Sequence, residues 1–201
     1  YKGSARMSKI RKKLLMQIGI VKSENYIMLS DWDDISKHKI LSEEFIREFK
    51  MEVNWTRISK FQNLTEDFIA EFKDDVKWDL VSQYQILSED FIREFQSYFL
   101  YWHNISEYQV LSEGFIREFQ NKVLWTFISK KQKLSDKFII EFQHKISWPI
   151  YFSCQEASYQ IIKKFAFKNG VNCVNTSHLN NTEKEALDKL IELRKVFVNQ
   201  K

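Results

Sequence analysis

Chain breakers are scarce in this sequence: 201 residues include only 4 Gly and 1 Pro. A turn-rich β fold or long flexible linkers would need many more, so helix is the default. Cysteine is scarce too. Cys154 and Cys173 are the only two, with 18 residues between them. That permits one disulfide but no disulfide framework, and it fits a reducing, intracellular compartment. No run approaches the roughly 18 consecutive apolar residues of a membrane-spanning helix. The apolar segment LLMQIGIV (14–21) follows basic residues, but Gln17 interrupts it and no small-residue cleavage site follows, which argues against a secretory signal. Residues 1–6 read as a leader ahead of a natural start at Met7.

Charge excess is confined to one end. The net charge is +4, yet residues 1–13 hold Lys2, Arg6, Lys9, Arg11, Lys12 and Lys13 with no acid among them. Setting those 6 aside leaves 25 basic against 27 acidic residues, a nearly neutral body. A nucleic-acid-binding protein usually spreads its basic charge along a face.

Aromatics, by contrast, are abundant: 15% of residues, with 17 Phe and 6 Trp. The tryptophans (Trp32, Trp55, Trp78, Trp102, Trp125 and Trp148) are spaced by 23, 23, 24, 23 and 23 residues. The residues between them keep step. Each Trp is followed by an aliphatic and a serine (Ile35-Ser36, Ile58-Ser59, Val81-Ser82, Ile105-Ser106, Ile128-Ser129), then by Gln62, Gln85, Gln109, Gln132 and Gln155, with Lys39 in the first copy. A Leu with Ser or Thr comes next, and each copy closes on F-I-x-E-F. Five copies fill 32–147, and an eroded sixth starts at Trp148, where Phe152 and Ala157 depart from the pattern. Fixed-period self-similarity of this kind marks a repeat array.

Spacing decides what each copy folds into. Phe45, Ile46, Phe49 and Val53 lie at i, i+1, i+4 and i+8, one side of a helix. Ser42 is a good N-cap, and Glu43 and Glu44 meet the positive end of the helix dipole. Glu43–Arg47, Glu89–Arg93 and Glu113–Arg117 are favourable i,i+4 pairs. The Trp half reads as a shorter helix, about Trp55 to Gln62, and Pro149 fits its first turn. Neither helix can bury its own apolar face, so copies must stack. The single extra residue before Trp102 is expected in the turn between copies. Residues 8–21 read as an N-terminal cap helix with Ile10, Leu14, Leu15, Ile18 and Val21 on one face. Thr182 to Glu185 has a capping-box pattern that opens a final helix carrying Ala186, Leu187, Leu190, Ile191, Leu193 and Val196. Residues 167–181 are the one loop-like stretch.

The phrase W-x-x-I-S-x-x-Q-x-L-S-E-x-F-I-x-E-F, recurring every 23 residues, resembles the tandem repeats of proteins from large eukaryotic DNA viruses. The resemblance spans the repeats and leaves the N-terminal helix and residues 170–201 without a counterpart. It implies a viral origin and an α-helical array. No activity is established for such proteins, and no site residue carries over.

A search for chemistry finds little. His38, His103, His144 and His178 are dispersed, and Cys173 with His178 lacks a second ligand pair at zinc spacing. Cys154 and Cys173 have no evident His partner, there is no phosphate-cradling glycine loop, and carboxylate pairs such as Glu43–Glu44 sit at solvated helix starts. No cofactor, metal or catalytic residue is therefore expected, and an enzyme would need an unrecognised site within 148–201. The recurring Ser, Gln and Glu rows read as a hydrogen-bond ladder, with partner binding on one of those rows as the alternative. Positions that vary between copies suit recognition better: Lys37, Lys60, Gln83, Glu107 and Lys130, or His38, Phe61, Tyr84, Tyr108 and Lys131. The second row, aromatic in three of five copies, is the preferred contact surface; Arg47 against Ala70 is a further variable position. Arg6, Lys9, Arg11, Lys12 and Lys13 form a candidate arm for an anionic partner, set against a cap helix with a solvated basic face.

The expectation is one continuous all-α domain. It comprises residues 1–31 as leader and cap helix, 32–147 as a solenoid of five short helical hairpins, and 148–201 as a degenerate sixth copy with a C-terminal cap helix. Its expected role is a non-enzymatic scaffold for a protein partner, in the host cytoplasm or a virion. A nucleic-acid-binding protein using the basic N-terminus is the alternative.

Overall fold

The structure, a computed structural model, describes residues 9–20, 27–99, 102–166 and 174–198, with side chains as far as Glu192. The described residues are all-helical and contain no strand. The chain divides into two compact units, Tyr1–Asn104 and Ile105–Lys201.

The first unit holds α1 (Lys9–Gln17), α2 (Leu29–His38), α3 (Glu43–Glu48), α4 (Trp55–Phe61), α5 (Glu66–Glu71), α6 (Trp78–Tyr84) and α7 (Glu89–Glu94). The division falls within α8 (Trp102–Tyr108). The second unit continues with α9 (Glu113–Glu118), α10 (Trp125–Lys131), α11 (Asp136–Glu141), α12 (Trp148–Cys154) and α13 (Tyr159–Ile161). A π-turn (Ile162–Ala166) and α14 (Asn181–Val198) complete it. Like helices stack from copy to copy: α2 on α4 and α4 on α6 in the first unit, α10 on α12 in the second. The repeated helical hairpin read from the spacing is the architecture of each unit.

The Phe helix is shorter than its apolar spacing suggests. In each of the five full copies it ends after six residues, and the last Phe becomes the C-cap, as at Phe72 with φ −107° and ψ 32°. The chain then makes one irregular turn, with Val76 N–H donating to the Phe72 carbonyl at 3.0 Å. The turn keeps Val76 on the buried side, so spacing alone looks like continued helix. Its closure involves the next tryptophan. Trp78 Nε1–H donates to the Lys73 carbonyl at 2.9 Å, and Trp55, Trp125 and Trp148 reach back to Lys50, Gln120 and Gln143 in the same way. Indole therefore satisfies a carbonyl that the end of the helix leaves open. Trp55, Trp78 and Trp125 are half-buried at the rim of the core, whereas Trp148, which makes the same bond, is buried.

Within that rim the aromatics are packed as stacked or tilted triads. Phe68 and Phe72 have centroids 4.7 Å apart, with Trp55 5.0 Å from Phe72. Phe138, Phe142 and Trp125 repeat the arrangement. Burying one such Phe contributes roughly 1.5–3 kcal/mol, which makes these rows the main source of stability.

Each end differs in detail from its sequence reading. Helix α1 docks Arg11, Leu14, Leu15 and Ile18, not the face expected from Ile10, which is exposed. Gly19, at φ 79°, ends it. Ile20 N–H donates to the Leu15 carbonyl and Gly19 N–H to the Met16 carbonyl, a closure that requires the left-handed conformation. At the other end the capping box is Asn180 with Glu183, two residues earlier than expected. Glu183 N–H donates to Asn180 Oδ1 at 2.9 Å and Asn180 N–H to Glu183 Oε2 at 3.1 Å. Asn caps as well as Thr, and this choice brings Leu187 into the core with Ile191 packed against it. Leu193 and Val196 lie beyond the described side chains. Val21, the extra residue before Trp102, and residues 167–173 of the expected loop lie outside the described residues.

Candidate functional site

The recurring polar residues are used in packing. Ser59 is fully buried; its Oγ donates to the Trp55 carbonyl at 2.7 Å and accepts the backbone N–H of Lys77, the residue before the next Trp, at 2.9 Å. Ser36 and Ser129 make the same two bonds. Because the link runs through the backbone N–H, the residue before each Trp is free to vary between Asn54, Lys77, Leu124 and Ser147.

The glutamines act one position further on. Gln85 Oε1 accepts from Leu64 N–H at 3.1 Å, while Nε2 donates to the Ser59 carbonyl at 3.0 Å and the Gln62 carbonyl at 2.8 Å. Gln62 and Gln132 repeat that three-bond clamp on the preceding copy. A buried amide with every strong site satisfied stabilises one register between copies. The hydrogen-bond ladder read from the sequence is what the structure contains.

On the outer edge, Glu43 accepts both the N–H and the hydroxyl of Thr65, the cap of the next Phe helix, at 2.9 and 2.7 Å. Glu66 does the same for Ser88. Arg47 forms its i,i+4 contact with Glu43 at 3.5 Å, but its shorter bond, 2.7 Å, goes to Glu71 of the next copy. Arg117 likewise binds Glu141 at 2.9 Å. Hydrogen bonding to those carboxylates holds both guanidinium pKa values above their usual value. Arg47, expected as a position written for a partner, is committed to its neighbour. Asp33, bonded to Arg57 at 3.0 Å, is held below the usual carboxylate range by that bond.

The preferred contact row is exposed. His38 and Lys131 are exposed, as are Phe61, Tyr84 and Tyr108 at 41%, 44% and 46%. All five occupy the last turn of a Trp helix. The sequence reading missed a companion row two residues further along: Ile40, Ile86 and Val110 are 95%, 95% and 91% exposed. These residues stand immediately before the turn leucine, so their apolar side chains look continuous with it in the sequence. Asn63 and Lys133 hold the same position in the other two copies, so the row is apolar in three of five. In the alternative row, Lys37 and Lys60 are half-buried beside the Phe61 ring, with Nζ 5.8 and 5.2 Å from its centroid.

The candidate basic arm is only partly available. Arg11 is half-buried, with Nη2 2.6 Å from Glu52 Oε1 and its guanidinium 4.3 Å from the Phe49 centroid. It lies on the docking face of α1, so it fastens the cap. Lys9, Lys12 and Lys13 project from the opposite side into solvent. Arg6 lies outside the described residues.

No protein-family model, curated protein or solved structure matches this chain.

The remaining chemistry-bearing groups serve packing or the surface. His178 Nε2 lies 2.7 Å from the Ala157 carbonyl, a contact within the second unit. Cys154 is exposed, and Cys173 lies outside the described residues. Tyr151 is buried, and burial first, with Asp136 second, pushes its phenol up to about 12. Among the described residues no helix is long and apolar enough to cross a membrane.

Proposed function

We propose that this protein is a non-enzymatic repeat scaffold of viral origin. Its partner is another protein, a host factor or a virion component, and the setting is intracellular. One contrast carries the reading. The side chains that recur in every copy are consumed in holding copies together, whereas His38, Phe61, Tyr84, Tyr108 and Lys131, which differ between copies, are exposed beside Ile40, Ile86 and Val110. Exposed aromatic and aliphatic groups are what protein interfaces use as anchors. The viral origin rests on the resemblance of the repeat phrase alone.

The second reading, nucleic-acid binding, is supported by the three exposed lysines of α1, Lys9, Lys12 and Lys13. Two measurements test the pair. Affinity capture from infected or host cells is run with the intact protein and with the Phe61→Ala/Tyr84→Ala variant. A defined partner lost only in the variant supports the scaffold; an identical capture overturns it. A gel shift at about 50 mM salt, where phosphate contacts are strongest, supports the second reading if it detects binding that Lys9→Glu/Lys12→Glu/Lys13→Glu abolishes.

A further inference from the structure

The first unit's ridge carries charge of one sign among its aromatics. Over the last turn and turn-forming residues of α2, α4 and α6 stand Lys37, His38, Lys39, Lys60, Phe61 and Tyr84, with no carboxylate among those positions. Asp34, exposed, lies one turn earlier on α2. The cations are arranged between rings. Lys60 Nζ is 5.2 Å from the Phe61 centroid and 4.9 Å from that of Tyr84, and Lys37 Nζ is 5.8 Å from Phe61. The two rings therefore lie within about 10 Å of each other, the ordinary spacing of stacked helices.

We propose that this ridge binds an extended, acidic peptide segment of a partner protein that carries an apolar side chain at about every third residue. The proposal rests on the scaffold reading and names the partner's chemistry. A chain in the extended polyproline II conformation advances about 3.1 Å per residue and returns to the same face every third residue, so three residues match one step between copies. Apolar side chains at that interval meet the edges of Phe61 and Tyr84 and the exposed Ile40 and Ile86. The intervening carboxylates reach Lys37, Lys39 and Lys60. The ammonium groups of Lys37 and Lys60 already lie over rings, so they give up little side-chain freedom when a carboxylate arrives. A nucleobase stacking on the same rings would have to displace them, which disfavours a single-stranded nucleic acid here.

Fluorescence anisotropy with the full chain tests the idea using four labelled probes. One peptide has Phe at every third residue with Glu or Asp between; the second has Ser and Gln in place of the acids; the third has Lys in their place; the fourth is oligothymidine. The acidic peptide should bind, and should weaken as ionic strength rises. It should lose about tenfold or more in affinity with Phe61→Ala/Tyr84→Ala and, separately, with Lys37→Glu/Lys60→Glu. Circular dichroism confirms that both variants, which change exposed or half-buried side chains, remain folded. If the Ser/Gln peptide binds equally well and is still lost in the Phe61/Tyr84 variant, the charge assignment is overturned while the docking ridge stands. Tighter binding of oligothymidine or the Lys peptide, or no binding by any probe, overturns the proposal. The scaffold reading is judged separately, by the capture comparison.

Discussion

A regular copy and the eroded last one solve opposite problems. In the copy opening at Trp55, the fourth residue after Trp is the buried Ser59, which passes a hydrogen bond forward to Lys77, and the turn residue is Leu64. In the copy opening at Trp148 the same positions hold Phe152 and Ala157, both fully buried. Phe152 offers no hydroxyl to a following copy. It fills the end of the core instead, 5.5 Å from the Trp148 ring, while its carbonyl accepts the N–H of Asn175 as the chain folds back. Ala157 makes room for the return, and its carbonyl meets His178. The α-helix there also gives way to a π-turn, with Phe165 stacked 4.4 Å from Trp148. The lesson is that the polar part of the repeat exists to join copies, and it is exchanged for apolar volume where joining stops.

Five substitutions and one titration would break or sharpen that contrast. The largest effect is expected from Phe152→Ser, which restores the repeat's own letter at the end of the array. It should cost about 3–5 kcal/mol in urea unfolding, because it leaves a cavity and puts a hydroxyl among the apolar side chains of the core. A near-neutral result would mean the serine is tolerated wherever it falls and the end is not specialised. Phe95→Ala, the matching truncation within a regular copy, should cost a similar amount; a small effect would place that row in solvent.

Next comes the clamp. Gln85→Ala strands the Leu64 N–H and two carbonyls, and should cost about 2–4 kcal/mol. In the last copy, Gln155→Ala loses a single bond, to the Lys130 carbonyl, and should cost less than about 1 kcal/mol. Equal effects would show that the clamp is not what distinguishes an internal copy.

Gly114→Ala is expected to stabilise by about 0.5 kcal/mol. The position is helical, and an added Cβ would meet only Ser112 Oγ, at an ordinary 3.6 Å. A loss of stability would reveal that this copy needs glycine there, unlike the next, which carries Lys137 at the same position.

The smallest effect at neutral pH concerns Tyr151, which belongs to the specialised end. Its folded pKa is raised to about 12 from 10.0, so the unfolded phenol loses its proton first as the solution is made alkaline. The stability this group contributes is complete below pH 10 and is lost between about 10 and 12. Urea midpoints over that range should fall more for the wild type than for Tyr151→Phe. Parallel curves would show that the phenol is not protected from solvent.

Particular residues show where the sequence is readable. The rows of Trp, Phe, Ser and Gln repeat because every copy must present the same surface to its neighbour, so the hairpin and its caps are legible in spacing alone. Ser42, Thr65, Ser88, Ser112 and Ser135 all cap as their position implies. Less legible is any role that depends on a residue some 20 positions away. Arg47 could be read as a partner contact until Glu71 was placed against it, and Arg11 as part of a basic arm until Glu52 was. Ile40, Ile86 and Val110 look like ordinary apolar letters next to a buried leucine, yet they are exposed.

By itself the sequence determined the period, the helical hairpin, the cap residues and which positions vary. Those follow from local geometry, because 3.6-residue periodicity and capping chemistry act within one copy. Tertiary structure alone decided where the Phe helix stops and which arginines are already spoken for. It also decided that Phe152 and Ala157 close the core, and which apolar side chains remain in water. Each of those depends on what the neighbouring copy, or its absence, places against the residue, and no spacing along one chain records that.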